Sequence, residues 1–179
     1  MSTLLRAGMA VSASVIALLA GAVPGNAAST GLAGPTGATG DGWGQIKFVD
    51  AQKCADVPGL STQKGVALHQ WDCKSQANQW WYMEPAGGGT VQVKNYNSHL
   101  CMNVKGASEA KGAEVIQWDC NGQANGRWKR EPAGDGMYRL RNADSGLCLN
   151  VKGASNANGA RLIQWTCNLD NNGRFWFID

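Results

Sequence analysis

The side chains best equipped for chemistry in this chain are its six cysteines, two histidines and thirteen carboxylates. A cysteine can ligate a metal, attack an electrophile or close a disulfide. Here the cysteines stand singly at 54, 73, 101, 120, 148 and 167, without the close pairs that structural zinc sites use. Their even number, in a chain that opens on an export-type leader, points to disulfides and leaves no thiol as a nucleophile. His69 and His99 are the only imidazoles, and no G-x-S-x-G or H-E-x-x-H stretch occurs. A glycosidase would need two facing carboxylates. Asp72 with Asp119, and Glu84 with Glu131, recur at equivalent positions through copying and do not form such a pair. The chain is therefore read as non-catalytic, with no cofactor and no metal. What remains is tryptophan. "LHQWDC" (68–73), "VIQWDC" (115–120) and "LIQWTC" (162–167) place a Gln and a Trp just before a Cys three times, 47 residues apart. Each indole either packs against its disulfide or faces outward as a stacking plate.

The spacing of 47 organises the chain. Residues 44–90, 91–137 and 138–179 overlay without gaps, matching Cys54 with Cys101 and Cys148, and Cys73 with Cys120 and Cys167. "CADV", "CMNV" and "CLNV" coincide, as do Asn78, Asn125 and Asn172. So regular a period marks a copied structural unit. Symmetry favours one disulfide within each unit: Cys54–Cys73, Cys101–Cys120 and Cys148–Cys167. Each closes a loop of about 20 residues, worth roughly 3 kcal/mol in the chain-entropy account. "VQVKN" (91–95) and "YRLRN" (138–142) alternate apolar and polar residues, the half-buried strand signal, and Gly- and Asn-rich turns punctuate each unit. Three units are too few for a typical propeller. Three units of about four strands fit an all-β, closed β-trefoil with pseudo-threefold symmetry, which also removes exposed strand edges.

Residues 1–27 carry Arg6, an uncharged apolar run from Ala7 to Val23 and small residues at Gly25 and Ala27, the layout of a signal peptide cleaved after Ala27. The run is short for a membrane span, so no membrane insertion is expected after cleavage. The Gly-, Thr- and Ala-rich residues 28–42 are expected to be a flexible linker, leaving 43–179 as one folded domain. The net charge of +3 is small and spread out, which argues against nucleic acid as a partner. Secretion to the extracellular space, and a monomer, are expected.

The "C-x-[DN]-V" stretches, the "QW-x-C" stretches and the Q-x-W motif in "NQWW" (78–81) resemble the ricin-B-type lectin domains, which are β-trefoil carbohydrate-binding modules. The resemblance covers all three units, and the leader and repeat wording resemble secreted actinobacterial members. It implies a shallow sugar pocket per unit. In the first unit it makes Asp56 the acceptor for a pair of sugar hydroxyls and Trp71 the platform under the sugar's apolar face. Asn78 would be a further polar contact, Gln79 the support behind the carboxylate, and His69 a pocket wall. A glycan or polysaccharide partner of galactose or xylan type follows. The other units depart from the pattern: Asp56 becomes Asn103 and Asn150, Gln79 becomes Gly126 and Gly173, and His69 becomes Ile116 and Ile163. They keep Trp118 with Asn125 and Trp165 with Asn172, and are expected to bind weakly, to bind another sugar or not to bind.

Trp81, Trp128 and Phe175 are expected in the core, with Val57, Val104, Val151, Ile46, Val93 and Leu140. Glu84 and Glu131 are expected in solvated loops between units. The departures in two units leave a second reading open, a disulfide-stapled scaffold that binds or inhibits a protein.

Overall fold

The alternating segments form the strands expected of them. In the computed structural model, which describes residues 42–168 and 170–179, "VQVKN" is β5 (Val91–Asn95) and "YRLRN" is β9 (Tyr138–Asn142). Both are copies of β1 (Trp43–Phe48). The leader expected over 1–27 lies outside the described residues, as does the linker over 28–42 apart from Gly42. Among the described residues no helix is long and apolar enough to cross a membrane.

Each repeat supplies four strands. The first holds β1, β2 (Cys54–Asp56), β3 (His69–Trp71) and β4 (Trp80–Pro85); the second holds β5, β6 (Cys101–Val104), β7 (Val115–Trp118) and β8 (Trp128–Pro132). The third holds β9, β10 (Cys148–Val151), β11 (Leu162–Trp165) and β12 (Phe175–Ile178). The first and last strands of the repeats close an antiparallel barrel, β1–β4–β5–β8–β9–β12 and back to β1. The middle pairs, β2–β3, β6–β7 and β10–β11, form hairpins beside it. This is a β-trefoil, and the disulfides join the cysteines that symmetry paired, each with a Cα–Cα distance of 5.0 to 5.1 Å.

The core is built from symmetric triplets. Ile46, Val93 and Leu140 fill the barrel with Trp81, Trp128 and Phe175, all fully buried, and Val57, Val104 and Val151 join them. The two buried indoles each satisfy their N–H, Trp81 on the carbonyl of Ala55 at 3.0 Å and Trp128 on that of Met102 at 3.1 Å. Phenylalanine at 175 needs no such partner.

A second triplet, of polar side chains, ties each repeat to the one before it. Gln70, Gln117 and Gln164 are fully buried. Gln117 Nε2 donates to the carbonyls of Ser61 and Gln63 at 2.9 and 2.7 Å, in the loop that follows β2. Gln164 does the same to Ser108 and Ala110, and Gln70 reaches around the ring to Ser155 and Ala157. Ser98 and Ser145 satisfy the amide oxygens of Gln117 and Gln164. Ala51 stands at the matching place in the first repeat, and the buried Gln70 Oε1 has no partner there.

The structure corrects one expectation. Glu84 and Glu131 lie on β4 and β8, not in loops, because the "EPAG" stretch enters the turn only at its proline. Glu84 is exposed, but Glu131 accepts from Arg141 and Arg139 on neighbouring β9, at 2.8 Å each. The hydrogen bond from Arg141 is the main reason its carboxyl titrates below the usual value of 4.5. Whatever this pair adds to stability is present above that value and fades as pH falls through the lowered one.

Replacing Gln117 by Leu keeps the volume but removes the donor to two loop carbonyls and the acceptor of a serine hydroxyl. The expected cost is about 2 kcal/mol in urea unfolding with the disulfides intact. Exchanging the exposed Lys129 should change stability far less.

Candidate functional site

Strand β3 sets the site. Side chains alternate along a strand, so Gln70 points inward while His69 and Trp71 share the outer face. Opposite them in register lie Asp56 and Cys54 of β2, and the disulfide from Cys54 anchors the turn after Trp71. The segment Ala77–Gln79 then folds back beneath the hairpin as one tight helical turn, with Asn78 and Gln79 buried.

The five residues expected in the first repeat therefore meet. Asp56 is 5% exposed and its carboxylate is ringed by donors. Gln79 Nε2 lies 2.8 Å from Oδ2, Asn78 Nδ2 lies 2.9 Å from the same oxygen, and His69 Nε2 lies 2.7 Å from Oδ1. Gln79 also grips the disulfide turn, donating to the carbonyl of Asp72 at 2.9 Å and accepting from the amide of Lys74 at 2.6 Å. Asn78 donates to the carbonyl of Val57 at 2.7 Å as well, which uses up its amide hydrogens and leaves its oxygen buried without a partner. A carboxylate offers about four acceptor positions. Three are filled, so Asp56 has one left and not the pair that the resemblance implied.

His69 is the reason. Its ring both bonds Asp56 and stacks on Trp71, with centroids 5.3 Å apart and planes inclined by 29°. Trp71 is half-buried as a result, whereas Trp118 and Trp165, beside Ile116 and Ile163, are 40% and 42% exposed. The cleft lined by Asp56, His69, Trp71 and Asn78 measures about 310 Å³. Those holding Trp118 with Asn103 and Asn125, and Trp165 with Asn150 and Asn172, measure about 410 and 440 Å³.

The substitutions in the second and third repeats are coupled. Without Gln79's counterpart, the amide nitrogen of Asn103 leans into the space above Gly126, where a Cβ would overlap it. At Gly173 a Cβ would come 3.0 Å from Asn150 Nδ2. The amide oxygens still accept from Asn125 and Asn172. Asn103 Nδ2 is left buried without a partner.

Two features escaped sequence reasoning. Each tryptophan meets a glycine of the neighbouring repeat: Gly65 packs on the edge of Trp118, Gly112 on Trp165 and Gly159 on Trp71, where a Cβ would stand 3.7 to 3.8 Å from the ring. These glycines have φ between 82° and 87°, a conformation costly for other residues. Their N–H groups donate to the main-chain carbonyls of Gln117, Gln164 and Gln70. The threefold recurrence of Gly and Gln was the available signal. The second feature is a latch beside Trp71. The Asn158 amide exchanges two hydrogen bonds with Asp72, at 2.9 and 2.8 Å, and Lys53 pairs with the same carboxylate. The hydrogen bond from Lys53, then that from Asn158, holds the Asp72 carboxyl below its ordinary value.

The model of the ricin-type β-trefoil lectin domain-like family matches residues 35–118 and, in an overlapping register, 86–165. The chain belongs to this family. Among solved structures, the ricin-type domain is similar to ThreeFoil, a designed threefold-symmetric protein, at 31% identity and TM-score 0.76, covering 78% of this chain and 99% of that one. It is similar at 28% identity and TM-score 0.71 to the exo-β-1,3-galactanase 1,3Gal43A of Clostridium thermocellum, covering 75% of this chain but only 30% of the enzyme. A ricin B-like lectin of Macrolepiota procera, solved with lactose, shares the fold at 16% identity and TM-score 0.66, over 76% and 94% of the two chains.

The coupling gives a double-mutant test. Gly126→Gln alone should crowd Asn103 and cost about 1–3 kcal/mol in denaturant unfolding. Combined with Asn103→Asp, which restores an acceptor for the new amide, most of that loss should return as a favourable coupling energy.

Proposed function

We propose that this domain is an exported, non-catalytic lectin that binds galactose-type or xylan-type sugars in shallow clefts, the best formed being that of the first repeat. The observation that carries the reading is the half-buried indole of Trp71 in one cleft with the donor-fixed carboxylate of Asp56. A pyranose presents C–H groups on one face and hydroxyls at its rim. An aromatic plate supplies contact area for the first, and a few immobile polar groups orient the second. In this reading Trp71 carries the sugar's apolar face, and Asp56 and His69 form the polar wall, with Asn78 fixing the carboxylate at the cleft floor. Gln79 positions the carboxylate without touching the ligand.

The lectin character of the family supports sugar binding, and the likeness to a galactan-cleaving enzyme supports the galactose-type choice. The second and third clefts keep the plate and lack the charge, so they would bind more weakly or take other sugars. A single shallow cleft buries little, so useful retention would come from several clefts on one polymer.

Calorimetry with lactose and with xylo-oligosaccharides tests the reading. Asp56→Ala and Trp71→Ala should each weaken binding to the first cleft by about tenfold or more, the scale of a lost charged hydrogen bond or stacking plate. Wild-type affinity in Asp56→Ala would refute the assignment of this cleft. Retention on agarose or insoluble xylan with elution by free sugar supports the lectin. Flow-through of a protein that captures a polypeptide would favour the scaffold reading.

A further inference from the structure

The third cleft differs from the second in charge more than in shape. Both have an exposed tryptophan, an isoleucine and two asparagines, and their volumes are close. In the second cleft two lysines approach, and each is neutralised. Lys64, next to the Gly65 that packs on Trp118, pairs with Asp119 at 2.7 Å. Lys105, in the cleft wall, pairs with Glu114 at 2.9 Å.

Threefold symmetry puts lysines at the same two places in the third cleft. Lys111 precedes the Gly112 that packs on Trp165, and Lys152 lines the wall. Both acids are gone: Asp119 is replaced by Thr166, and Glu114 by Arg161. Among the described residues neither lysine has a carboxylate within ion-pair distance. The first repeat's carboxylate is Asn150 here, so no acid lines the cleft itself. Acids lie only outside it, and one of them, the exposed Asp50, lines the adjoining surface hollow. Glu114 faces Ile163 across a strand bridge, but Lys105 already holds it. Asp170, in the adjoining surface hollow, is exposed and bonded by Asn168. Arg161 turns away to the carbonyl of Ala67.

We propose that the third cleft selects an anionic sugar, one whose ring stacks on Trp165 and whose carboxylate or sulfate lies between Lys111 and Lys152. The proposal rests on the lectin reading and deepens it by naming a ligand class for this cleft. The asparagines accommodate such a ligand where a carboxylate would repel it. The second cleft, with the same plate, would bind neutral and acidic sugars alike, because its lysines are already paired.

The test uses the full chain carrying W71A and W118A, so that the third cleft reports alone, with galactose, galacturonic acid and galactose 6-sulfate as probes in calorimetry. Either acidic sugar, or both, should bind about tenfold more tightly than galactose at low salt, and the margin should shrink as ionic strength rises. Comparing the two acids separates a carboxylate site from a sulfate site. K111Q/K152Q should bring all three probes to the same affinity, and N150D should lower the ratio of acidic-sugar to galactose affinity. Equal affinity for the three probes, or a preference that survives K111Q/K152Q, overturns the proposal while leaving the lectin reading intact. Adding W165A should abolish binding of every probe. If W165A changes nothing, or if no probe binds before it is added, the third cleft is not a sugar site and the broader reading fails for it too.

Discussion

Everything at the clefts depends on one buried amide, repeated three times. Gln70, Gln117 and Gln164 each sit between two outward-facing side chains of a strand, so the residue that binds the neighbouring repeat is held between two cleft residues. Its side chain donates to two loop carbonyls of that neighbour. Its main chain exchanges hydrogen bonds with the same loop, accepting from the glycine that meets the tryptophan. A buried amide with so many partners is costly to misplace, since each stranded polar group loses its hydration without compensation. Closing the ring and building the cleft are thus one operation. The tryptophan is mounted on a strand whose far side is locked to the loop whose glycine packs on its ring.

With that frame common to all three repeats, differences between them stay local. In the first repeat a carboxylate needs donors, and Gln79, Asn78 and His69 supply them. In the others the acceptor is a neutral amide, Gln79's counterpart is glycine, and isoleucine replaces the histidine. These are not three independent losses. Glycine makes room for the leaning asparagine, and without a carboxylate an imidazole loses its charged partner. The consequence runs opposite to what residue types suggest. The repeat with the fullest polar set has the least exposed tryptophan and the smallest cleft, because its own histidine occupies part of it.

Much of this was legible in the sequence. The period of 47 sufficed for the disulfides, the trefoil and the core triplets, because each depends only on equivalence between repeats. The alternation in 91–95 and 138–142 located two strands to the residue. The family resemblance pointed to Asp56, Trp71, Asn78 and His69, which line one cleft, and to Gln79 behind the carboxylate. What could not be read was anything that depends on which neighbour a repeat touches. Gln117 and Gly65 are 52 positions apart, and a period relates each to its own copies but not to the other. The state of Asp56 was hidden for a related reason. Residue types show that it can accept hydrogen bonds, but only packing shows that three positions are already taken. Glu131 was misread as a loop residue because proline and glycine follow it, while its guanidinium partners lie on another strand.

The copies themselves supply a comparison of the kind usually sought between proteins. The buried glutamine and the glycine that join neighbouring repeats at each cleft are the same in all three. The side chains that vary, His69 against isoleucine and the Asp56–Gln79 pair against asparagine and glycine, make their principal bonds within one repeat or face the opening. A substitution of the first kind would disturb two repeats at once and the closure of the barrel with them. A substitution of the second kind alters one cleft and leaves the other two as they were. A closed threefold fold can therefore carry three different clefts on one frame. Exposed ion pairs can vary even where they cross a junction, as Lys64–Asp119 does, so two lysines can lose their acidic partners in the third cleft without loosening the trefoil. Surface ion pairs such as those of Lys64 and Lys105 contribute about 0–1 kcal/mol, so giving up their equivalents costs little stability while changing the charge that a ligand meets.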